Sequence, residues 1–150
     1  MIRPATVHDI PDIVRLRRGM FEAMGYGDGG QLDGVDAACE AYFARAIQAG
    51  RYQGWLALTP EGKAIASGGL VVDEHPPGPG NRSGRIGYVM SLYTDPSYRR
   101  RGIARNVMGR IMERIRSAGI TVAALHATDV GQPLYDQFGF AESNEMRATV

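Results

Sequence analysis

The feature that most constrains this chain is an apolar strand that runs through a short polar loop directly into an amphipathic helix. Residues 85–94 read as the strand and residues 95–102 as the loop. Beyond the loop, apolar residues recur every four positions, as in a helix with one buried face: Ile103, Val107, Ile111 and Ile115. Gly119 ends this helix, and the apolar run 120–127 predicts a strand inside a sheet. Any fold must therefore hold a strand–helix–strand unit.

The remaining chain predicts hairpin strands and helices around this unit. Strands are expected at residues 2–5, 53–58 and 63–73. One helix is expected from a cap at Thr6 or Asp9 to about Met20, and another at about 34–49. A short helix near Gln132 to Gln137 and two short strands near Phe140 and Met146 follow. The order is β-α-α-β-β-β-α-β-α-β(-β). It predicts one α+β domain over residues 1–150, with about four helices and a mixed, mostly antiparallel sheet of six to seven strands.

The composition disfavours some classes of partner but does not identify the function. The net charge is +1, so no global field favours a nucleic acid or an anionic membrane as partner. Cys39 is the single cysteine, which excludes an internal disulfide and suits a reducing compartment. The first residues lack the apolar run of a signal peptide, and no stretch approaches the length of a membrane helix, so we expect a cytoplasmic protein. No cluster has metal-ligand spacing, so no metal is expected.

The loop that enters the long helix has the chemistry of a phosphate site. The first N–H groups of a helix lack internal partners, and the helix dipole is positive there. Gly102 and Ala104 carry no bulky side chain, so phosphate oxygens can approach the backbone. Three arginines, Arg99 to Arg101, add positive charge. Taken alone, the arginines also fit a solvated surface loop, or a salt-sensitive RNA-binding patch, which the near-zero net charge disfavours.

Two motifs give the chain its family resemblance. Arg99-Arg100-Arg101-Gly102-Ile103-Ala104 matches the coenzyme A signature Gln/Arg-x-x-Gly-x-Gly/Ala, and Leu134-Tyr135 and Gly139-Phe140 follow at the expected separation. In these respects the whole chain resembles the GCN5-related N-acetyltransferase (GNAT) family. The resemblance implies the GNAT fold, acetyl-CoA as cosubstrate and no metal. It implies cofactor-binding roles for Leu92, Tyr93, Arg99, Arg100, Arg101, Gly102, Ile103, Ala104, Arg105, Thr128 and Tyr135.

The same resemblance implies a mechanism. Two central parallel strands splay apart to admit the coenzyme A arm, and a β-bulge near Met90-Ser91 frees backbone groups, with the thioester carbonyl near the Leu92 N–H. Tyr135 inherits the role of the acid that protonates the departing thiolate; structural packing is the alternative. His126 is the first candidate for the base, although it could simply be hydrogen-bonded in the sheet. The other candidates are Glu22, Asp28, Glu74 and Tyr88.

The acceptor is expected to be a primary amine on a small molecule or peptide. By resemblance, residues 21–36 and the loop 74–85 shape its pocket. The first segment holds Glu22, Asp28, Asp33 and Asp36, an acidic edge that would suit a cationic amine unless it is only a solvated loop. A small amine, an amino acid, an antibiotic and a protein N-terminus all stay open, and a homodimer would be in keeping with the family. The alternative function is an acyl-CoA sensor without catalysis.

Overall fold

Five strands form one sheet, in the order in which they occur along the chain. In the computed structural model, which describes residues 1–27 and 29–150, the strands are β1 (Ile2–Pro4), β2 (Tyr52–Leu58), β3 (Ala64–Glu74), β4 (Arg85–Thr94) and β5 (Val122–Leu125). The helices are α1 (Ile10–Ala23), α2 (Gly29–Gln48), α3 (Ile103–Ser117) and α4 (Gln132–Gln137). The predicted order is confirmed as far as α4.

The sheet is mixed, as predicted. Strands β1 to β4 pair antiparallel with their neighbours, whereas β5 lies parallel to β4 after the α3 crossover. The predicted count of six to seven strands is wrong, because neither the segment near Phe140 nor the one near Met146 forms a strand. This terminal segment lacks alternating apolar residues, and the Met146 side chain is 94% exposed. The sheet therefore ends at β5.

Helix α3 covers one face of the sheet. Its residues at fourfold spacing point inward because a helical repeat of 3.6 places them on one stripe. Val107, Met108 and Ile111 are fully buried. They pack in one cluster with sheet residues that include Trp55, Ala57, Ile65, Leu70 and Val89. The predicted amphipathic helix is therefore confirmed, and its packing fixes where its N-terminus stands relative to β4.

Helices α1 and α2 cover the other face. Ile13 and Leu16 of α1 and Phe43 of α2 are buried against Tyr52 and Leu56 of β2. Helix α1 begins directly after Asp9, one of its two predicted caps, whereas α2 begins earlier than predicted. Thr6 caps a 3₁₀ turn, Val7–Asp9, before α1 starts at Ile10, and α2 already begins at Gly29. Because α1 also packs against β4, its side chains reach the centre of the sheet.

The Asp9 carboxylate holds the N-terminal segment in place. Asp9 accepts hydrogen bonds from both terminal nitrogens of Arg3 at 2.8 Å and from the Thr6 amide at 2.7 Å. These contacts, with the Arg3 hydrogen bonds first, hold the pKa of Asp9 well below its usual range. The short strand β1, which ends at Pro4, is thereby tied to the entry of α1.

Candidate acyl-donor and acceptor site

The loop between β4 and α3 has an unusual backbone. After the 3₁₀ turn Pro96–Tyr98, Arg100 has a φ of 64° and Gly102 a φ of 75°. The Asp95 amide donates to the Ile65 carbonyl at 2.8 Å, which anchors the loop to β3. Alternation of left-handed and ordinary backbone conformations turns successive amides toward one side, an arrangement that binds anions. Glycine at position 102 meets the positive φ without steric cost.

Consecutive amides at the start of α3 have no acceptor in the part of the chain that the structure describes. The first helical bond runs from the Asn106 amide to the Gly102 carbonyl at 3.0 Å, and the amides of residues 100–105 donate to no protein group. Space is open around Gly102, since a β-carbon there would meet nothing within 4 Å. The backbone of residues 100–105, which we call the amide cradle, can therefore bind phosphate oxygens.

The arginine side chains divide into two pairs. Arg99 donates to the Thr94 carbonyl at 3.0 Å and lies over the Tyr93 ring, and Arg101 donates to the Ser97 carbonyl and lies over the Tyr98 ring. These contacts fold both side chains back onto the loop. Arg100 and Arg105 are exposed, and the described residues offer their side chains no partner. Two of the three consecutive arginines therefore have contacts within the loop itself.

The pairing of strands β4 and β5 ends beside the cradle. Their parallel pairing runs from Ile86↔Val122 to Val89↔Leu125, and β4 continues beyond it to Thr94. Opposite Ser67–Gly69 of β3, β4 carries one extra residue, and Ser91 there has a φ of 57°. The predicted bulge is confirmed. Because β5 ends at its last pair with β4, the structure leaves the outer edge of β4 unpaired there, and a splay of the two strands stays a prediction. Leu92 and Tyr93 lie beyond the last pair, on this edge of β4.

Tyr135 lies in the core beside this opening. Tyr135 is 9% exposed and packs in the hydrophobic cluster between α3 and the sheet. Its ring meets the Phe140 ring edge to face, with 6.3 Å between the ring centres. A β-carbon on Gly131 would lie 2.9 Å from the Tyr135 hydroxyl oxygen, so α4 holds the ring against the backbone. Burial raises the pKa of the Tyr135 hydroxyl. The phenol therefore keeps its proton at neutral pH, as an acid must.

Thr128 supports the same short helix. The Gly131 amide lies 3.3 Å from its hydroxyl and 3.0 Å from its carbonyl, and the Gln132 amide donates to that carbonyl. The residue thus orders the entry to α4, which carries Tyr135. A contact from Thr128 to coenzyme A stays a prediction.

His126 follows β5 directly and is exposed. Its ring meets the Tyr88 ring edge to face at 5.7 Å. The Arg147 guanidinium contacts its Nε2 atom. Because a guanidinium only donates hydrogen bonds, Nε2 is the accepting nitrogen of this imidazole. His126 can take a proton at that atom only after Arg147 has moved away.

The other base candidates are less well placed. Glu74 stands opposite Arg85 at the start of β4, about 20 Å along the strand from Ser91, and the loop 75–84 lies at that same end. Glu22 accepts from Arg18 at 3.0 Å. Asp28 lies outside the described residues. Tyr88 is half-buried beside His126 and stays a candidate.

Three carboxylates of the acidic edge share one arginine. Arg18 donates to Asp33 and to Asp36, each at 2.7 Å, as well as to Glu22. Asp33 and Asp36 thereby tie α2 to α1, and one guanidinium among three carboxylates leaves the edge with a net negative charge. Arg17, the next residue toward the N-terminus, contacts Ser91 of the bulge. The sequence reasoning missed both Arg17 and Arg147, because neither belongs to a motif.

A cavity of about 640 Å³ lies away from the cradle. Trp55 and Gln53 of β2 and Arg110 and Arg114 of α3 line it, and no residue of the loop 95–102 borders it. None of the sequence-predicted site residues lines this cavity. Within residues 1–27 and 29–150, no three or more His, Cys, Asp or Glu side chains are grouped to hold a metal ion. In that same part of the chain, no helix has the length and apolarity to cross a membrane.

Known proteins share this architecture. A family model described as the acetyltransferase (GNAT) family matches residues 19–140. A GCN5-related N-acetyltransferase from Ralstonia eutropha JMP134 is 33% identical, with a TM-score of 0.91 over 100% of this chain and 97% of that one. A predicted acetyltransferase with acetyl-CoA from Clostridium acetobutylicum is 25% identical, with a TM-score of 0.90 over 100% and 95% of the two chains.

A curated relative adds a more distant match. A glucosamine 6-phosphate N-acetyltransferase from Trypanosoma brucei brucei is 29% identical over 118 residues, which are 77% of this chain and 76% of that protein. The family match spans most of the chain, including β2 to β5 and the loop into α3. On these findings the chain belongs to the acetyltransferase (GNAT) family.

Proposed function

We propose that the protein transfers the acetyl group of acetyl-CoA to a primary amine by direct attack of the amine on the thioester. The observation that carries this proposal is the amide cradle, whose N–H groups at residues 100–105 have no acceptor in the described chain. It stands beside the opening between β4 and β5. Unpartnered amides at a helix N-terminus fit a pyrophosphate, and the adjoining strand edge fits an amide-rich arm.

Donor binding would use the backbone first and side chains second. The amides from Arg100 to Arg105 would hold the pyrophosphate, and Gly102 leaves room for it. The exposed side chains of Arg100 and Arg105 would screen its charge. Arg99 and Arg101 would act indirectly, because they fasten the loop through the Thr94 and Ser97 carbonyls. Main-chain groups of Leu92 and Tyr93 would pair with the pantetheine arm as a strand does.

The chemical step would take place where β4 bulges. An amide near Leu92 would donate to the thioester oxygen as negative charge develops on it. The attacking nitrogen would form a bond to the carbonyl carbon, and the carbon–sulfur bond would break. Tyr135 would give its proton to the leaving sulfur. Burial raises the pKa of its hydroxyl, so the phenol is still protonated when the thiolate forms and can donate to it.

The amine must lose a proton, and we assign its acceptance to His126. An alkyl amine has a pKa of about 10.4, so about one molecule in a thousand is neutral at pH 7. The imidazole of His126 stands at the end of β5, next to Tyr88, and its Nε2 becomes available when Arg147 leaves. The Arg147 segment has no regular secondary structure, so little ordered structure opposes its displacement.

The relatives support this function in outline. The Clostridium protein is described with acetyl-CoA, and the Trypanosoma relative is named for acetylating an amino sugar phosphate. Neither fixes the acceptor of this chain. A small molecule or peptide with a free amine is the proposed partner class.

The test is an acetyl-CoA assay over an amine library that reads released thiol, with calorimetry of acetyl-CoA alone. We expect micromolar donor binding and turnover with at least one amine. Donor binding without thiol release for any amine, and no effect of Tyr135→Phe on that binding, would favour an acyl-CoA sensor instead. Absence of donor binding would overturn the cradle itself.

A further inference from the structure

Helix α1 carries three arginines that differ in their partners. Arg15 pairs with Asp12 at 3.4 Å and Asp95 at 3.5 Å, and Arg18 holds three carboxylates. Arg17 pairs with none among residues 1–27 and 29–150. Its only hydrogen bond there runs from Nη1 to the Ser91 hydroxyl at 2.5 Å. One of three neighbouring cations is thus left without a counter-charge.

The guanidinium of Arg17 is partly removed from water. Its Nε atom is buried and has no acceptor in the described chain. The Phe21 ring lies 4.9 Å from its central carbon, and the whole residue is only half-exposed. A desolvated charge without a partner is costly, and a bound anion would offset that cost. The Nη2 atom is neither buried nor bonded, so it can donate to a ligand.

No neighbouring protein group supplies the missing negative charge. Tyr52 lies near Arg17, but burial raises the pKa of its hydroxyl, so the phenol stays neutral. The carboxylates of Glu22, Asp33 and Asp36 are bound to Arg18. Ser91 is a neutral acceptor. No carboxylate of the described residues forms an ion pair with Arg17, so a bound anion would be its first direct counter-charge.

The position of Arg17 indicates which ligand would carry this anion. Ser91 is the bulged residue of β4, just beyond the last pair with β5. Arg17 reaches it from the α1 side, the side on which Tyr88 and His126 also meet. The amide cradle lies at the other end of the donor path, past Thr94. An anion on Arg17 would thus belong to the acceptor and not to the coenzyme A pyrophosphate.

We propose that Arg17 binds an anionic group, a carboxylate or a phosphate, on the amine acceptor. This inference rests on the acetyl-transfer function proposed above. Arg17 would hold the anion through its accessible Nη2 while Ser91 keeps Nη1 in place, so that the amine is directed toward the opening between β4 and β5. A charged N–H donor beside a partly desolvated guanidinium suits either oxyanion.

The test compares matched acceptors in two arms. One arm sets amino acids against their carboxamides, and the other sets glucosamine 6-phosphate against glucosamine. Parent, Arg17→Gln, Arg17→Lys and the control Arg110→Gln are assayed for kcat/KM by thiol release. Arg110 is an exposed residue of α3, 3.8 Å from Glu113, and lies outside the proposed machinery. Calorimetry with coenzyme A-saturated enzyme measures binding of each amine without chemistry.

We expect Arg17→Gln to lower kcat/KM about tenfold to a hundredfold for the anionic member of one arm and at most twofold for its neutral partner. Arg17→Lys should fall between, and Arg110→Gln should match the parent. A selective loss in the amino-acid arm identifies the bound anion as a carboxylate. A selective loss in the glucosamine arm identifies it as a phosphate. Equal losses for anionic and neutral amines would assign Arg17 a structural role and overturn the inference, as would binding of no anionic amine to the coenzyme A complex. If the parent binds the anionic amine without turnover and Arg17→Gln loses that binding, the anion site is confirmed and the proposed acetyl transfer is refuted.

Discussion

The ring of Tyr135 packs directly against the α-carbon of Gly131. A β-carbon at Gly131 would lie 2.6 Å from Cε2 and 2.8 Å from Cζ of that ring, closer than real contacts allow. The φ of Gly131 is −82°, so its backbone would accept any residue. Glycine is needed here for the space it leaves, and this space sets the position of the Tyr135 hydroxyl.

We therefore expect Gly131→Ala to lower kcat about tenfold, because the ring must move and a misplaced acid transfers its proton poorly. Acetyl-CoA affinity should change less than threefold, since the amide cradle is untouched. Thiol-release kinetics and calorimetry measure the two quantities. The matched control is Gly109→Ala in α3, where a β-carbon would meet nothing within 4 Å. A variant with parental kcat would show that the ring position does not matter.

Tyr135→Phe should lower kcat about tenfold to a thousandfold and leave the dissociation constant of acetyl-CoA nearly unchanged. Burial raises the pKa of this hydroxyl, so the acid stays protonated and the parent should show no alkaline loss of kcat below about pH 10. In the Phe background, Gly131→Ala should add little further loss, because the group it displaces is gone. Equal kcat in Tyr135→Phe and parent would remove Tyr135 from the reaction.

The backbone of the candidate donor loop could be predicted from the sequence because it depends on local conformation. The sequence shows a strand, then a glycine at a helix start, then apolar residues at helical spacing. The structure has the Gly102 turn and the bulge at Ser91 where they were predicted. Unpartnered amides at a helix start follow from helix geometry alone. No tertiary information is needed to expect them.

The acceptor side could not be read in the same way because it depends on contacts between distant segments. Arg17 meets Ser91 across 74 positions, and Arg147 meets His126 across 21. Acidic residues near the helix junction predicted an anionic edge, but the sequence did not indicate that Arg18 would pair with three of its carboxylates. Side-chain pairing of this kind is settled by helix packing, which the periodicity of one segment does not specify.

Gly102→Glu should weaken acetyl-CoA binding about a hundredfold, because a carboxylate in the cradle repels the pyrophosphate. The control is Gly102→Ala, which carries the same cost of a side chain at a φ of 75° but adds no charge. Space is open there, so the alanine variant should bind within a few-fold of the parent. Calorimetry gives both constants, and circular dichroism checks the fold. Equal weakening in both variants would make backbone strain, not charge, the cause.

Asp9→Asn should destabilise the protein by about 1–2 kcal/mol at pH 7, since Arg3 loses its charged partner but stays partly exposed. The pKa of Asp9 is depressed in the folded state, so its stabilisation is present above about pH 4 and is lost as pH falls further. The difference between parent and variant in urea unfolding should shrink below pH 4. Exposed Glu61→Gln is the control and should match the parent. A constant difference down to pH 2 would contradict the Asp9 linkage.

Arg147→Ala should raise kcat at pH 7 about threefold, because it frees the Nε2 atom of His126 to accept the amine proton. His126→Asn should lower kcat at least tenfold, and the double variant should behave like His126→Asn alone, since removing Arg147 helps only if the imidazole is present. Arg116→Ala removes an exposed arginine of α3 and serves as the control. The four variants are compared by thiol release between about pH 6 and 9. A kcat for His126→Asn equal to that of the parent would transfer the role of base to another group, and Tyr88, whose ring meets His126, is the next to test.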